Sequence, residues 1–465
     1  MLIRRAYVWG RGPADVRIAG GRIGDCAPGL PSVPGEDELD ARGGWLLPGL
    51  HDHHIHLRAL AVAADSLQTG PPEVRTREEL AAALRRVDRE LQPGRWIRGI
   101  GYHQSVAGDL DRDALDRMVP HRPVRVQHRS GALWALNSPA VELVGLDDCE
   151  LSGVERNDDG SPSGRIWRLD AWLAERIGTA ELDLAAVSSM AARRGITGFT
   201  DATPGLSDHE LSALADAVRT GAIRQRVHCM APPLASDPLV PLFTLGPTKL
   251  LLDDDALPAL DEFTALVRSA HAAGRPVAVH CVTRTQLVLA QVAFDEAGIR
   301  PGDRIEHGAL VPADSLPWLR ERGVAVVTQP HFAVERGAQY ADEVPADEMP
   351  DLWRLRSLRA AGVRIAAGTD APFGSADPWS VVRAAAAPRG LPQGPESIPA
   401  FEAVRLFLGR SRAPDVPRSI GPGEAADLTL LRPPPAEALG ELAAGLGSDL
   451  VAATLVAGEP IFLAG

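Results

Sequence analysis

The residues most able to do chemistry in this sequence are the histidines of residues 46–57, which read LLPGLHDHHIHL. The stretch is typical of a short buried strand, and alternation places Asp52, His54 and His56 on one face. Two imidazoles at this spacing can bind the same metal ion, and Asp52 behind them offers a second contact. A histidine-rich loop exposed to solvent is the alternative that this stretch alone leaves open.

Lys249 is the second residue with chemical potential. The chain contains 48 Lys and Arg residues together, and Lys249 is its single lysine. An amine with a lowered pKa can act as a nucleophile or form a covalent adduct, whereas a guanidinium stays protonated. Lys249 lies in the apolar run at 246–253, which has the length of a strand. We therefore interpret it as a chemical residue, against the alternative of a surface lysine left by chance.

The composition excludes several classes of partner. The chain has 465 residues, 45% of them hydrophobic, and a net charge of −13, with a pI near 5.5. This acidic balance argues against nucleic acids and anionic membranes. No signal peptide or membrane span is predicted, and the four cysteines are far apart without a C-x-x-C motif. We expect a cytoplasmic protein that acts on a small molecule.

The elements that must position these residues follow a regular pattern. One strand ends at His56, and seven more are predicted at 196–201, 225–230, 248–253, 277–280, 304–307, 324–329 and 364–370. Helical segments separate most of them. This order is the signature of a (β/α)8 TIM-like barrel, here at 48–415, with an insertion after the first strand at about 58–190. Glycine turns and alternating residues at 1–47 and 416–465 predict one small composite β domain.

Catalytic residues of such barrels lie at the C-terminal ends of the strands. The residues at those ends are His54, His56, Lys249, His280, His307 and Asp370. Four imidazoles, one lysine and one carboxylate predict a metal site, and their number suits two divalent ions rather than one. Individually, His280 or His307 could be a hydrogen-bonded core histidine, and Asp370 could cap a helix.

Several motifs resemble the amidohydrolase superfamily. Residues 48–56, which read PGLHDHHIH, resemble its P-G-x-x-D-x-H-x-H motif, and the lysine strand, RIEH at 304–307 and GTD at 368–370 follow in order. The TQPH stretch at 328–331 and the SADP turn at 375–378 resemble the amidohydrolase 3 branch, which includes N-substituted formamide deformylase.

The resemblance implies a specific site. Lys249 would be carbamylated by CO2 and would bridge two metal ions, usually zinc. His54, His56 and Asp370 would hold the first ion, and His280 and His307 the second. A bridging hydroxide would attack an amide-like carbon, and Asp370 would pass a proton to the leaving nitrogen.

The insertion departs from this branch at one position. Relatives often have a histidine where this chain has Ala132, so the usual substrate contact is in doubt. We retain His103, His128, His331 and Trp134 as candidates for substrate binding.

We therefore predict a metal-dependent amidohydrolase that cleaves a non-peptide C–N bond in an amide, such as an N-acyl or N-formyl group. The alternatives are a mononuclear deaminase of the same superfamily and a non-catalytic binding protein on the same barrel. Lactones and phosphoesters also stay open as substrates, as do the identity of the metal and a homo-oligomeric state.

Overall fold

The protein was analysed as a computed structural model, which describes residues 1–64, 66–71, 73–178, 182–387 and 396–464. The chain divides into two compact units. The first comprises Met1–Leu57 and Leu184–Gly465, and the second comprises Arg58–Asp183. The second unit is thus one continuous stretch of sequence that interrupts the first.

Two parallel sheets form the centre of the first unit. The four-stranded sheet has the order Phe243–Leu245, Arg226–Cys229, Ile196–Asp201 and Leu50–Ile55. The five-stranded sheet has the order Thr248–Leu250, Val277–Cys281, Arg304–His307, Ala325–Thr328 and Ile365–Ala367. All neighbouring strands in both sheets are parallel. The predicted α/β class is confirmed.

Burial explains the composition of these strands. Strand Ala325–Thr328 is buried along its whole length, as expected where helices cover a parallel sheet and strands read as continuous apolar runs. Helices Leu260–Ala272 and Arg284–Ala297 supply part of this cover, and Phe294 from the second of them shares one core with Val279 of the sheet.

The two parallel sheets meet where the chain passes from Phe243–Leu245 to Thr248–Leu250. Pro247 lies between these strands and has no N–H to donate to a ladder, but its carbonyl accepts a hydrogen bond from the Ala231 N–H at 3.1 Å. The strand predicted at 248–253 is observed as Thr248–Leu250, and a further strand that was not predicted, Phe243–Leu245, pairs with the other sheet.

Helices follow most of the parallel strands. In the first unit they are Leu184–Arg193, Asp208–Arg219, Leu260–Ala272, Arg284–Ala297, Ser315–Arg322, Phe332–Glu335, Gly337–Glu343, Leu355–Ala360, Pro378–Ala386, Ala400–Arg405 and Pro435–Ala444, with 3-10 turns at Asp254–Ala256, Met349–Asp351 and Ser448–Leu450. None of the helices in the described ranges is both long and apolar enough to cross a membrane.

Both ends of the chain contribute strands to one further sheet of the first unit. Its order is Glu459–Leu463, Val451–Val456, Leu428–Leu431, Trp45–Pro48, Leu2–Val8, Gly12–Ala19 and Arg22–Ala27, with Glu38–Asp40 paired to Leu2–Val8. The predicted hairpin turns at Gly20 and Gly21, whose φ angles of 56° and 74° lie in the region that glycine adopts readily. Strands Gly409–Arg410 and Ala413–Pro417 form a separate pair.

The second unit has a six-stranded sheet of its own. The order is Val154–Arg156, Pro162–Trp167, Leu133–Leu136, Val124–His128, Ile97–Tyr102 and Leu67–Gln68. Its helices are Arg77–Glu90, Gln104–Ala107, Arg112–Met118, Ser138–Val144 and Asp170–Ile177, while helix Leu57–Ala64 begins at the boundary between the units. Helix Arg77–Glu90 begins with a capping box formed by Thr76 and Glu79.

Candidate metal centre

His54 and His56 lie at the end of strand Leu50–Ile55, which is buried throughout. Their ring centroids are 5.4 Å apart. Asp52 does not join them, because its two carboxylate oxygens accept hydrogen bonds from the Thr369 N–H at 2.9 Å and the Thr369 hydroxyl at 2.6 Å. The metal contact expected for Asp52 is therefore wrong. Burial raises the pKa of Asp52 to about 7, and the residue fastens its strand to the segment that carries Asp370.

The Asp370 carboxylate lies between three imidazoles. Oδ1 is 3.1 Å from His56 Nε2 and 3.5 Å from His54 Nε2, and Oδ2 is 3.8 Å from His307 Nδ1. Ligand atoms of His54, His307 and Asp370 all lie within 4.8 Å of one another. Three strands thus bring donor atoms to a single point.

Two of these residues have a left-handed backbone. The φ angle is 70° at His307 and 52° at Asp370, a conformation that costs of order 1–3 kcal/mol for a residue other than glycine. His307 ends a buried parallel strand, and Asp370 lies three residues beyond strand Ile365–Ala367. The Asp370 N–H donates to the His54 carbonyl at 2.7 Å. Strain that the surrounding strands hold in place is common at functional sites.

His280 and Lys249 adjoin this cluster. The ring centroids of His280 and His307 are 4.6 Å apart in an edge-to-face arrangement. The Lys249 Nζ atom is buried and has no hydrogen-bond partner among the described residues. Burial lowers the pKa of Lys249, and the nearby carboxylates of Glu306 and Asp370 only partly oppose this. The structure thus brings all six predicted ligand residues into one region.

The buried imidazoles of His54 and His307 are neutral. Burial lowers the pKa of His54 to about 4 and that of His307 to about 3. The pKa of Asp370 lies below its ordinary value, because the surrounding imidazoles outweigh the opposing effect of burial. Neutral imidazole and ionised carboxylate are the protonation states that bind a metal ion.

Unpartnered buried atoms test whether a metal fits here. Within the described chain, His54 Nε2, Asp370 Oδ1 and Lys249 Nζ are all buried without a hydrogen-bond partner. Buried polar atoms are nearly always satisfied in folded proteins. Nitrogen and carboxylate donors in this combination suit zinc and similar divalent ions, so the residues fit a metal ion.

A second layer of residues orients the imidazoles. The His54 Nδ1–H donates to the Glu306 carboxylate, whose other oxygen accepts from Arg304 Nε. The His307 Nδ1–H donates to Gln329 Oε1 at 2.8 Å. Because a carboxylate can only accept, the Glu306 contact places the His54 proton on Nδ1 and leaves Nε2 free to coordinate a metal ion. Sequence analysis missed these roles, although two charges inside a predicted buried strand at 304–306 were a usable signal.

His331 is buried beside Asp370 in the first unit. Both of its ring nitrogens lack a hydrogen-bond partner in the parts of the chain that the structure describes. Burial lowers its pKa to about 3, partly offset by Asp370, and its ring lies 4.7 Å from that of Phe332. His331 is therefore a neutral, buried imidazole close to Asp370.

The other predicted substrate contacts lie in the second unit. His128 contacts Gln104 Oε1 at 3.1 Å and Ser130 Oγ at 2.8 Å, and with Gln104 it lines a cavity of about 230 Å³. The His103 ring centroid is 5.8 Å from that of His128. Trp134 does not line this cavity; its Nε1–H donates to Asp170 at 2.8 Å.

Comparison with known proteins decides the family. A family model described as the amidohydrolase family matches residues 37–462. The chain belongs to the amidohydrolase family. It is 26% identical to N-substituted formamide deformylase of Arthrobacter pascens over 485 aligned positions, which cover 88% of each protein.

Solved structures agree with this assignment at the level of the fold. A metal-dependent hydrolase from Pyrococcus horikoshii superposes with a TM-score of 0.75 at 19% identity, covering 93% of this chain and 97% of that one. N-isopropylammelide isopropylaminohydrolase from Burkholderia multivorans superposes with a TM-score of 0.54 at 17% identity, covering 99% and 97%. Membership of the amidohydrolase family makes this chain a hydrolase of carbon–nitrogen bonds other than peptide bonds.

Proposed function

We propose that this amidohydrolase removes an acyl or formyl group from an N-substituted amide at a two-metal centre. The observation that carries the proposal is that His54 Nε2 and Lys249 Nζ are buried without a hydrogen-bond partner among the described residues, close to the Asp370 carboxylate. The substrate class follows from the similarity to a deformylase that extends over most of both chains.

The proposed ligand sets follow the positions of the side chains. His54, His56 and Asp370 would hold one ion, and His280 and His307 the other. Two divalent ions, most simply zinc, would activate water as the nucleophile, as a hydroxide that bridges them, and polarise the carbonyl of the substrate. The mutual contacts of His54, His56 and Asp370 support the first set, and the packing of His280 on His307 supports the second.

Lys249 would connect the two sets as a carbamate. Its buried amine has a lowered pKa, and a neutral amine is the form that reacts with CO2. In that reaction a bond forms between Nζ and the carbon of CO2, and the nitrogen releases one proton. One C=O π bond of CO2 opens, and the product carries a carboxylate with two oxygens in place of the neutral amine.

Asp370 would transfer the proton. Its depressed pKa keeps the carboxylate ionised at neutral pH, so it can accept a proton from the attacking water. Its place between His54 and His56 leaves it beside the reacting carbon, from which it can pass that proton to the leaving nitrogen. His331, neutral and adjacent to Asp370, would bind the substrate carbonyl or amide. His103, His128 and Trp134 of the second unit are retained as weaker substrate contacts.

We also propose a barrel architecture around this site. The parallel strands would close into an eight-stranded (β/α)8 barrel in which residues 243–250 provide one strand position. The second unit would be the insertion after the first strand, and the strands from both ends would form the composite β domain. We further propose a cytoplasmic location, a small-molecule substrate and a homo-oligomer.

One observation favours a mononuclear deaminase as the second candidate. Of the residues that the structure describes, only His54, His307 and Asp370 have ligand atoms close enough to form a compact group. This number of ligands would hold one ion.

Metal analysis distinguishes the two candidates. Protein produced with zinc and bicarbonate should contain about two ions per chain, and a Lys249→Ala variant should contain far less. Parent protein should also hydrolyse N-formyl and N-acyl amides. One ion in both proteins, with deamination of a heterocyclic amine, would instead establish the mononuclear deaminase.

A further inference from the structure

Two arginines of the second unit face each other without an acceptor. Arg98 on strand Ile97–Tyr102 and Arg125 on strand Val124–His128 are direct partners in the parallel ladder. Over the described residues, neither guanidinium makes a hydrogen bond or an ion pair, and the Nε atom of each is buried. Like charges on directly opposed residues destabilise a sheet, so this pair requires another source of stabilisation.

Trp134 provides part of that stabilisation. The guanidinium carbons of Arg98 and Arg125 lie 5.2 and 5.1 Å from the centroid of its ring, which places both cations against one aromatic group. The Trp134 Nε1–H is already donated to the Asp170 carboxylate. The hydrogen-bond donors that remain at this site therefore belong to the two arginines.

The charges at this site do not cancel. Burial is the main cause that lowers the pKa of Arg98 to about 9 and that of Arg125 to about 10, so both are cations at neutral pH. Asp170 is the carboxylate that acts on both of them. Two positive charges and one negative charge leave a net charge of one positive unit in a half-buried site.

We propose that Arg98, Arg125 and Trp134 form a binding site for a small molecule that carries one carboxylate. A monoanion would neutralise the remaining charge, whereas a phosphate dianion would exceed it and would be repelled by Asp170. A guanidinium binds both oxygens of a carboxylate with two parallel hydrogen bonds. The two side chains are half-buried rather than enclosed, so a ligand can reach them, and the indole face can pack against its apolar part.

Titration of the intact protein with acetate tests this site. Intrinsic tryptophan fluorescence and calorimetry should show saturable binding at constant ionic strength. Arg98→Gln and Arg125→Gln should each weaken acetate binding about tenfold or more, because each removes a charge-assisted pair. Asp170→Asn should strengthen it, since the repelling charge is removed while an acceptor for Trp134 is kept.

Arg165→Gln is the matched control. Arg165 also lies beside a tryptophan, at 5.9 Å from the Trp167 centroid, but it is already paired with Glu155 and Asp109. Its substitution should leave acetate binding unchanged. If a variant fails to fold, acetate should still raise the melting temperature of the parent protein relative to equal chloride. Tighter binding of inorganic phosphate than of acetate, or equal acetate binding by the parent and the Arg98 and Arg125 variants, would overturn the proposal.

Discussion

Glu306→Gln should weaken metal binding by forcing the wrong tautomer on His54. In the parent protein, one Glu306 oxygen accepts the His54 Nδ1–H and the other accepts Arg304 Nε–H. A glutamine has one oxygen and one NH2 group in the same place. Because Arg304 can only donate, it will take the oxygen. The NH2 group then faces His54, whose proton moves to Nε2, the atom that faces Asp370.

The size of the effect follows from this arrangement. Loss of such an outer partner typically lowers metal affinity about 10–100-fold, which corresponds to about 1.4–2.8 kcal/mol. Folding stability should fall as well, by roughly 3–5 kcal/mol, because Arg304 keeps its charge in a buried place and loses its ionic partner.

Two measurements check this prediction. Competition with a chromogenic chelator gives the zinc affinity, and long-range 1H–15N correlation spectra of histidine-labelled metal-free protein report the tautomer of His54. Glu296→Gln is the control, because Glu296 accepts a hydrogen bond from the Thr264 hydroxyl and not from an imidazole of the site. Unchanged zinc affinity, together with a proton still on His54 Nδ1, would refute the reasoning.

Three further predictions concern His331, Gly374 and His228. His331→Asn should raise KM for an amide substrate about tenfold through a lost hydrogen bond, with metal content unchanged; a drop in metal content would instead make His331 a ligand. Gly374→Ala should have the same kinetic effect, since a Cβ there would lie 2.4 Å from His331 Nε2, and normal kinetics would contradict this packing. Burial lowers the pKa of His228 to about 3. Below pH 6.5 the unfolded chain therefore binds more protons than the folded protein, and the folded protein becomes less stable as the pH decreases. In denaturant titrations, the loss of stability between pH 7 and pH 5 should be about 2 kcal/mol smaller for His228→Gln than for the parent protein.

The parallel strands could be predicted because their sequences carry a direct signal. Largely apolar runs such as 277–280 and 324–329 correspond to buried strands within a residue or so. Strand Phe243–Leu245 was not predicted, because a run of three residues is too short to give a periodic signal. Only the pairing shows that strands Phe243–Leu245 and Thr248–Leu250 belong to different sheets.

The candidate site also has residues that could be predicted from the sequence and residues that could not. Residues at strand ends could be identified by type and place, as His54 and Asp370 were. Alternation alone assigned Asp52 to the metal face, but both of its carboxylate oxygens accept hydrogen bonds from Thr369, which follows a strand of the other sheet. Such partners lie more than three hundred positions apart in the sequence, so neither spacing nor composition reveals them. The left-handed backbone of His307 and Asp370 is equally invisible, since neither is a glycine.

The most direct test of the central claim uses the fact that Lys249 is the single lysine of the chain. Protein loaded with zinc and 13C-bicarbonate should show one carbamate carbon signal by NMR. The signal should disappear in Lys249→Met, and both the second metal ion and amide hydrolysis should be lost with it. A carbamate on any other amine would be present in both proteins, so the signal that is lost in Lys249→Met is the one that belongs to Lys249. Two bound ions and full activity without a carbamate signal on Lys249 would contradict the account.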